Sequence, residues 1–401
     1  MSINNLGLNV FENGKESLSI YIHIPFCNSK CKYCAFVSTV ANEDDKKRYF
    51  ADLLTEIKMQ SQKYSKFYSV ASIYIGGGTP SSLDYYYIRD LLACLYKNFA
   101  VKNSAEITIE INPNTVDKTK IREYVLSGIN RFSIGLQSIS PKILKDMGRT
   151  HSVLDFQKAV DEIREYGIKN ISADLIIGYP GQKMNDIKET LSYLIKIGIP
   201  HISTYMLQVE QGTKLKALVD NGSVSLPDDD LVVNMYNYIY ETLSKLGYVR
   251  YELSNFAKPS YESYHNSVYW KQKDYLGIGL AAHSYIDGTR FANTENPVKY
   301  VDTIENKSEI PIEVSKTLTK AELEEEFIML SLRTKDGLDL EKFKETFNEN
   351  LAYKKKSTIA TLIKNGFLIL TSDNHLVCTS KGFLVLNQLI IELIDLDDEV
   401  K

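Results

Sequence analysis

The sequence has few cysteines, a single tryptophan and little net charge. Its 401 residues include one Trp and five Cys, and its formal net charge is −4. So few cysteines fit a reducing cytosol, which disfavours disulfides. A slightly acidic chain also creates no general basic field for nucleic acid. We therefore expect neither a disulfide framework nor a nucleic-acid partner.

Targeting and membrane segments are also missing from the sequence. The first residues, MSINNLGLNV, contain no basic stretch followed by an apolar stretch, as a signal peptide would. No uncharged apolar run reaches the roughly 18 residues of a membrane helix. The sequence therefore predicts a cytoplasmic protein without a membrane span.

Residues 17–212 alternate between strand-like and helix-like segments. Short β-branched or aromatic runs predict six strands, at 17–24, 71–76, 105–112, 131–136, 170–177 and 201–207. Longer segments with helical spacing predict helices at about 43–64, 84–99, 117–127, 152–166 and 185–198. Such alternation implies right-handed crossovers and a mainly parallel sheet. An α/β fold with a partial (β/α)6 barrel is the first interpretation, and an open doubly wound sheet is the second.

The rest of the chain predicts further regions. Residues 1–16 are expected to form an N-terminal segment. Residues 213–316 are expected to contain a linker helix and an accessory region with an irregular, aromatic-rich stretch at 255–300. Residues 317–401 predict an α+β domain that resembles a winged helix, with a last helix at 381–394. This C-terminal domain has eleven Lys and Arg against fifteen Asp and Glu, which argues against DNA binding. Its apolar last helix permits a homodimer.

Three cysteines follow the first predicted strand in the spacing Cys27-x3-Cys31-x2-Cys34. Thiolates are the preferred ligands of a four-iron, four-sulfur cluster, and three of them leave one iron open. Structural zinc is the alternative, although zinc sites usually have four ligands in paired spacings. Cys94 and Cys378 stand alone in apolar stretches and are expected to be core residues.

Other unusual residues follow the remaining predicted strands, and the carboxyl ends of parallel strands are where active sites form. Together with the cysteine loop they make up the signatures YIHIPFC, YIGGGTPS, ITIEINP, RFSIGLQS, MGRTH, DLIIGYPGQ and YLGIGLAAHS. In these signatures the sequence resembles the radical S-adenosylmethionine superfamily, specifically the oxygen-independent coproporphyrinogen III oxidase group. The resemblance covers nearly the whole chain.

The resemblance implies a role for individual residues. Cys27, Cys31 and Cys34 would bind the cluster, and Tyr21 would contact S-adenosylmethionine. Gly77, Gly78 and Thr79 would hold the amino end of that cofactor. Its ribose and carboxylate would be surrounded by Glu110, Gln137, Arg149 and Asp174. From the residues alone, Asp174 also reads as a structural hydrogen-bonding group, Arg149 as a surface residue and the glycines as a tight turn.

A further motif, His265-Asn266-Ser267-Val268-Tyr269-Trp270, resembles the HNxxYW motif of the haem-chaperone branch, the HemW family. The resemblance implies that the protein binds haem at His265 and passes it to recipient haemoproteins. It also implies an electron donor for the cluster. An imidazole suits haem iron as an axial ligand. Without the resemblance, His265 reads as a hydrogen-bonding residue in an aromatic-packed loop.

The alternative function is oxidative decarboxylation of coproporphyrinogen III by a dehydrogenase of the same group, so whether the protein is an enzyme is left open. Those enzymes carry a fourth cysteine where this sequence has Phe36, and a longer extension than the 26 residues before Cys27. Both differences favour the chaperone. A haem-degrading methyltransferase and a DNA-binding regulator are further alternatives.

Overall fold

The structure, a computed structural model, describes residues 14–394. Six parallel strands follow one another along the chain: β1 (Glu16–Ile24), β2 (Tyr68–Gly77), β3 (Ala100–Ile111), β4 (Arg131–Gln137), β5 (Ile171–Ile177) and β6 (His201–Met206). Each strand pairs with the next in parallel register. The strand order therefore never reverses, as it would in a doubly wound sheet, and the predicted partial (β/α)6 barrel is confirmed. Of the predicted N-terminal segment, residues 1–13 lie outside the described residues.

Helices connect these strands: α1 (Glu43–Tyr64), α2 (Tyr85–Asn98), α3 (Lys118–Leu126), α4 (Pro141–Met147), α5 (Val153–Glu165) and α6 (Met184–Lys196). Helix α1 begins where Asn42 accepts a hydrogen bond from the Asp45 amide and ends at Tyr64, the bounds that the sequence predicts. Helix α4 was missed because seven residues are too short for a periodic pattern. Its signals were Pro141 at the start and Gly148, which adopts a left-handed φ of 82° at the end.

Side chains alternate between the two faces of the barrel strands. Ile20, Ile22 and Ile24 of β1 have no exposed surface and pack in the main hydrophobic core with the helices. Burial of each such side chain contributes about 1.5–3 kcal/mol. Ser19 and Tyr21 alternate with them and point to the inside of the barrel, as polar residues of the other strands also do. The apolar outer face therefore builds the fold and leaves the polar inner face for chemistry.

The region 213–316 contains α7 (Lys214–Asp220), α8 (Asp229–Lys245), β7 (Val249–Arg250), β8 (Asn255–Ala257), α9 (Tyr264–Trp270), β9 (Tyr275–Ile278), β10 (His283–Ile286), β11 (Thr289–Asn293), α10 (Pro297–Glu305) and β12 (Ile312–Thr317). The prediction of an irregular stretch at 255–300 was wrong. Strand β9 pairs with β1, and β8 pairs with β6, so this region extends both edges of one twelve-stranded sheet. The four strands between residues 255 and 300 are three to five residues long, too short for a strand pattern.

A buried carboxylate of α1 ties this added sheet to the barrel. Glu56 accepts hydrogen bonds from the Gly279 amide at 3.0 Å, the Asn293 amide group at 2.7 Å and the Tyr300 hydroxyl at 2.6 Å. Burial raises the pKa of Glu56, while these three donors oppose that rise. Gly279 of the YLGIGLAAHS signature therefore supplies one of the three donors to this carboxylate.

The C-terminal elements are α11 (Lys320–Ser331), β13 (Leu338–Asp339), α12 (Leu340–Phe347), α13 (Leu351–Lys354), α14 (Lys356–Lys364), β14 (Leu368–Leu370), β15 (His375–Cys378), α15 (Ser380–Leu384) and α16 (Leu386–Leu393). Strand β15 lies between β13 and β14, and the element order is that of a winged helix, as predicted. The predicted last helix is divided into α15 and α16. Val268 of α9 belongs to the hydrophobic core of this part of the chain, so the C-terminal elements pack on α9.

Within residues 14–394, no helix is long and apolar enough to cross a membrane.

Candidate functional site

The cysteine loop follows β1 and lines a cavity of about 330 Å³ at the carboxyl ends of the strands. Cys27, Cys31 and Cys34 are all half-buried there and form no disulfide. The loop is held by backbone hydrogen bonds from the Cys27 amide to the Thr39 carbonyl, at 3.0 Å, and from the Lys32 amide to the Met147 carbonyl, also at 3.0 Å. Burial raises the pKa of the Cys27 and Cys34 thiols.

Within the described residues, no three His, Cys, Asp or Glu side chains converge as ligands of one metal ion. A four-iron, four-sulfur cluster does not require the three thiolates to converge on one point, because each thiolate binds a different iron. Three separate thiols around one cavity fit that arrangement.

The glycine loop after β2 lies directly against the start of the cysteine loop. The Gly78 amide donates to the Ile24 carbonyl at 2.8 Å, and the Thr79 amide donates to the Phe26 carbonyl at 2.7 Å. A Cβ atom on Gly78 would lie 2.6 Å from the Phe26 carbonyl oxygen, so only glycine permits this approach. The Thr79 hydroxyl is 3.5 Å from the Cys27 sulfur. The glycines are thus required for contact between the two loops, beyond making a turn.

Two carboxylates line the same cavity. Glu110, near the end of β3, accepts from the Tyr74 hydroxyl at 2.8 Å and from the Gly77 amide at 3.1 Å. Burial raises the pKa of Glu110 to about 7. Asp174 of β5 accepts from the Ser133 hydroxyl, and burial also raises its pKa. Asp174 therefore makes a structural hydrogen bond and faces the cavity as well.

Arg149 and Gln137 complete the wall of the cavity. Arg149 donates to the Asn112 side chain at 2.7 Å and to the Gly135 carbonyl, and it lies 3.8 Å from the Cys31 sulfur. Its Nε and the Gln137 Oε1 are buried without a hydrogen-bond partner in the described structure. Since buried polar atoms are normally paired, these two atoms mark positions for a polar ligand.

Tyr21 lies apart from this wall. Its hydroxyl is 3.0 Å from Nδ1 of His23, and Nε2 of His23 is 2.8 Å from the Val37 carbonyl in the cysteine loop. Tyr21 is not among the residues that line the cavity. Contact of Tyr21 with a cofactor therefore stays a prediction.

His265 also lies outside the cavity wall, on α9 inside the barrel, and only 1% of its surface is exposed. Its Nδ1 is 2.9 Å from the Ser72 hydroxyl, and its Nε2 is 2.8 Å from the Tyr269 hydroxyl. Burial lowers the pKa of His265 to about 3, so the ring is neutral at pH 7. In this conformation both ring nitrogens are engaged. The predicted role of His265 as an iron ligand requires one of these hydrogen bonds to open.

Sequence reasoning missed Tyr74, whose hydroxyl donates to Glu110. Its signal was an inward position of β2. Asn112, which directly follows β3 at the predicted rim, was given no role, and the structure shows that it accepts from Arg149. A larger cavity of about 640 Å³ lies beside Arg164, Tyr248 and Lys258, and its lining contains neither cysteine nor carboxylate.

The cavity at the carboxyl ends fits the groups that the sequence implies. It has three thiols on one loop, two carboxylates, a buried guanidinium and two unpaired polar atoms, and it is open to solvent on one side. A barrel of this order with such a loop defines a radical S-adenosylmethionine protein. Comparison with known sequences supports this class, since the Radical SAM superfamily profile matches residues 21–194 and the HemN C-terminal domain profile matches residues 318–385.

Similar proteins show which family of this superfamily the chain belongs to. "Heme chaperone HemW" of Lactococcus lactis is 34% identical over 95% of this chain and 98% of its own length. The protein of the same name from Bacillus subtilis is 33% identical over 92% of this chain and 97% of its own. The chain belongs to the HemW family. Among solved structures, coproporphyrinogen III oxidase (HemN) from Escherichia coli shares the fold, with a TM-score of 0.84, 21% identity and coverage of 98% of this chain and 92% of that one.

Proposed function

We propose that the protein is a haem chaperone, which binds haem and delivers it to recipient haemoproteins. The observation that carries this proposal is identity of about one third with HemW proteins across the barrel and the C-terminal elements together. The HNSVYW motif, at α9, adds to it. The proposal includes a cytoplasmic location, an electron donor for the cluster and association as a homodimer. We also propose that the chain is organised as the sequence predicts: the barrel at 17–212, the linker and accessory region at 213–316, and the C-terminal domain at 317–401.

Cys27, Cys31 and Cys34 would each bind one iron of a four-iron, four-sulfur cluster. Their loop is fixed by backbone hydrogen bonds within itself, to α4 and to the glycine loop, so the three thiols are presented together before any metal arrives. When bound, the cluster supplies an open iron and a single electron to S-adenosylmethionine. Burial keeps the Cys27 and Cys34 thiols protonated until metal displaces the proton.

The remaining cavity residues would hold S-adenosylmethionine. Gly78 and Thr79 lie beside the cysteine loop, where backbone and hydroxyl groups suit the amino end of the cofactor. Glu110 and Asp174 suit the ribose hydroxyls, because carboxylates accept hydrogen bonds from them. Arg149 suits the carboxylate, since a guanidinium and a carboxylate form charge-assisted hydrogen bonds. Gly77 and Gln137 complete this set, and Tyr21 would support it from inside the barrel.

Anaerobic reconstitution and haem transfer test the function. The protein is loaded with iron and sulfide, titrated with haem, and mixed with an apo-haemoprotein with and without S-adenosylmethionine. We expect haem binding and transfer, and no conversion of added coproporphyrinogen III. Formation of protoporphyrinogen would establish the dehydrogenase instead, and loss of the haem chromophore would establish haem degradation.

A test of His265 needs a matched control, because removing any buried imidazole can destabilise the fold and so weaken haem binding indirectly. His201 is such a control: it is buried, and its Nε2 is 2.8 Å from the Tyr251 hydroxyl, as Nε2 of His265 is from Tyr269. We expect His265→Ala to weaken haem binding and change the haem spectrum, and His201→Ala to do neither. Equal haem affinity and spectra in both variants would remove His265 as a ligand and leave the chaperone function standing.

A further inference from the structure

A row of side chains connects the cavity with the HNSVYW motif through the inside of the barrel. Glu110 accepts from the Tyr74 hydroxyl at 2.8 Å. The Tyr74 ring stacks on the His265 ring, with 5.1 Å between centroids and 29° between planes. Nε2 of His265 is 2.8 Å from the Tyr269 hydroxyl. Tyr74 is therefore in contact with the cavity wall at its hydroxyl and with α9 at its ring.

The α9 end and the cavity end of this row of side chains differ in their surroundings. At the α9 end, Glu106 accepts hydrogen bonds from the Ser263 hydroxyl at 3.2 Å and from the His265 amide at 3.0 Å, which fixes the start of the helix to β3. At the cavity end, Glu110 lies in the wall of an open space. A ligand that fills the cavity can thus contact Glu110 directly, whereas Glu106 and the base of α9 lie outside the cavity wall.

Tyr74 is not fully enclosed by packed side chains. It is half-buried, as is Tyr269, whereas His265 is almost completely buried. Packed protein interiors transmit a displacement to the neighbouring side chain, and a stacked pair does so directly.

We propose that Tyr74 is a positioning residue that couples occupancy of the cavity by S-adenosylmethionine to the hydrogen bond between His265 and Tyr269. The inference rests on the proposed function, because it takes the Glu110 cavity to be the S-adenosylmethionine site. Ribose hydroxyls that bind Glu110 compete with the Tyr74 hydroxyl for the same carboxylate. When that hydrogen bond weakens, the Tyr74 ring shifts over His265, and the two ring nitrogens of His265 change their partners.

The sequence supplies a reporter for this coupling, because its only Trp is Trp270, the last residue of α9. The cluster-loaded protein is titrated anaerobically with S-adenosylmethionine, and binding is measured by equilibrium dialysis while Trp270 emission is recorded. We expect a saturable change of emission whose midpoint matches the dialysis curve. Tyr74→Leu, which removes both the hydroxyl and the stacking ring, should abolish the change. Tyr74→Phe keeps the ring but removes the hydroxyl that competes for Glu110, so it should strengthen binding by up to about tenfold while reducing the change.

The matched control is Tyr68→Phe. Tyr68 lies on the same strand, and its hydroxyl also donates to a buried carboxylate at 2.8 Å, that of Asp274, but it is remote from the cavity wall. This variant should keep the full emission change. Trp270→Phe, alone and with Tyr353→Trp on the exposed surface of the C-terminal elements, shows what part of the signal comes from cluster absorbance.

An emission change that persists at full size in Tyr74→Phe and Tyr74→Leu would overturn the coupling. So would bound S-adenosylmethionine with no Trp270 response in the unaltered protein, or no binding at all. Should Tyr74→Leu fail to fold, Tyr74→Phe against Tyr68→Phe decides alone. Haem transfer is measured separately. A Trp270 response without haem transfer would exclude the chaperone function and leave the role of Tyr74 standing. Haem transfer without a Trp270 response would exclude the role of Tyr74 and leave the chaperone function standing.

Discussion

Replacement of Glu110 by Gln tests whether the buried carboxylate of Glu110 lowers the free energy of unfolding when it is ionised. Both oxygens of Glu110 accept hydrogen bonds in the structure, one from Tyr74 and one from Gly77. The amide of Gln can accept from the Gly77 amide and donate its NH₂ group to the oxygen of the Tyr74 hydroxyl, as the protonated carboxyl group of Glu110 can. Gln therefore resembles the neutral form of Glu110. The variant carries no ionisable group at this position, so the pH dependence of its stability must differ from that of the unaltered protein.

The size of the difference follows from the pKa of Glu110, which burial raises from the ordinary 4.5 to about 7. The folded state therefore binds the proton more tightly than the unfolded state does. The stability contribution of Glu110 is full below pH 4.5 and is lost as pH rises through 7. The loss is at most roughly 3 kcal/mol, and solvent in the cavity screens the charge and reduces it.

Urea unfolding at several pH values between 5 and 8, followed by Trp270 fluorescence on cluster-free protein, measures this effect. We expect Glu110→Gln to match the stability of the unaltered protein to within about 1 kcal/mol at pH 5 and to exceed it at pH 8. Glu241→Gln, at an exposed position of α8, should show a constant difference across the range. A constant difference for Glu110→Gln as well would refute the conclusion that this carboxylate is destabilised by burial.

Three further substitutions test other parts of the structure. Gly78→Ala places a methyl group 2.6 Å from the Phe26 carbonyl oxygen; we expect a stability loss of about 1–3 kcal/mol and less cluster iron after reconstitution. Normal iron content by chemical analysis would show that the close approach is dispensable. Arg149→Lys keeps the charge but loses the planar group that reaches Asn112; we expect about tenfold weaker S-adenosylmethionine binding in dialysis, with iron retained. Equal affinity would exclude Arg149 from the cofactor site. Glu56→Ala leaves three buried donors without their acceptor and should lower the unfolding free energy in urea by about 3 kcal/mol or more. A loss below about 1 kcal/mol would mean that water replaces the carboxylate.

Much of the barrel could be predicted because its signals are local. The strands from β1 to β6 carry alternating patterns long enough to recognise, and α1 begins and ends at the predicted residues. The strands around α9 could not be predicted, because they are too short for a periodic pattern and form through pairing with β1 and β6, which are distant in sequence. Helix α4 was missed for its length alone.

The site shows the same division. The sequence by itself placed the cysteine loop, the glycine loop and Glu110 at the carboxyl ends of consecutive strands, since a parallel sheet brings those ends to one edge. The tertiary structure alone decided what holds them there and where His265 lies. Ser72 and His265 are 193 residues apart in the chain and in contact in the fold, and Tyr74 joins the cavity to α9. Such contacts depend on how α9 packs against β2 and β3, and no local pattern encodes them.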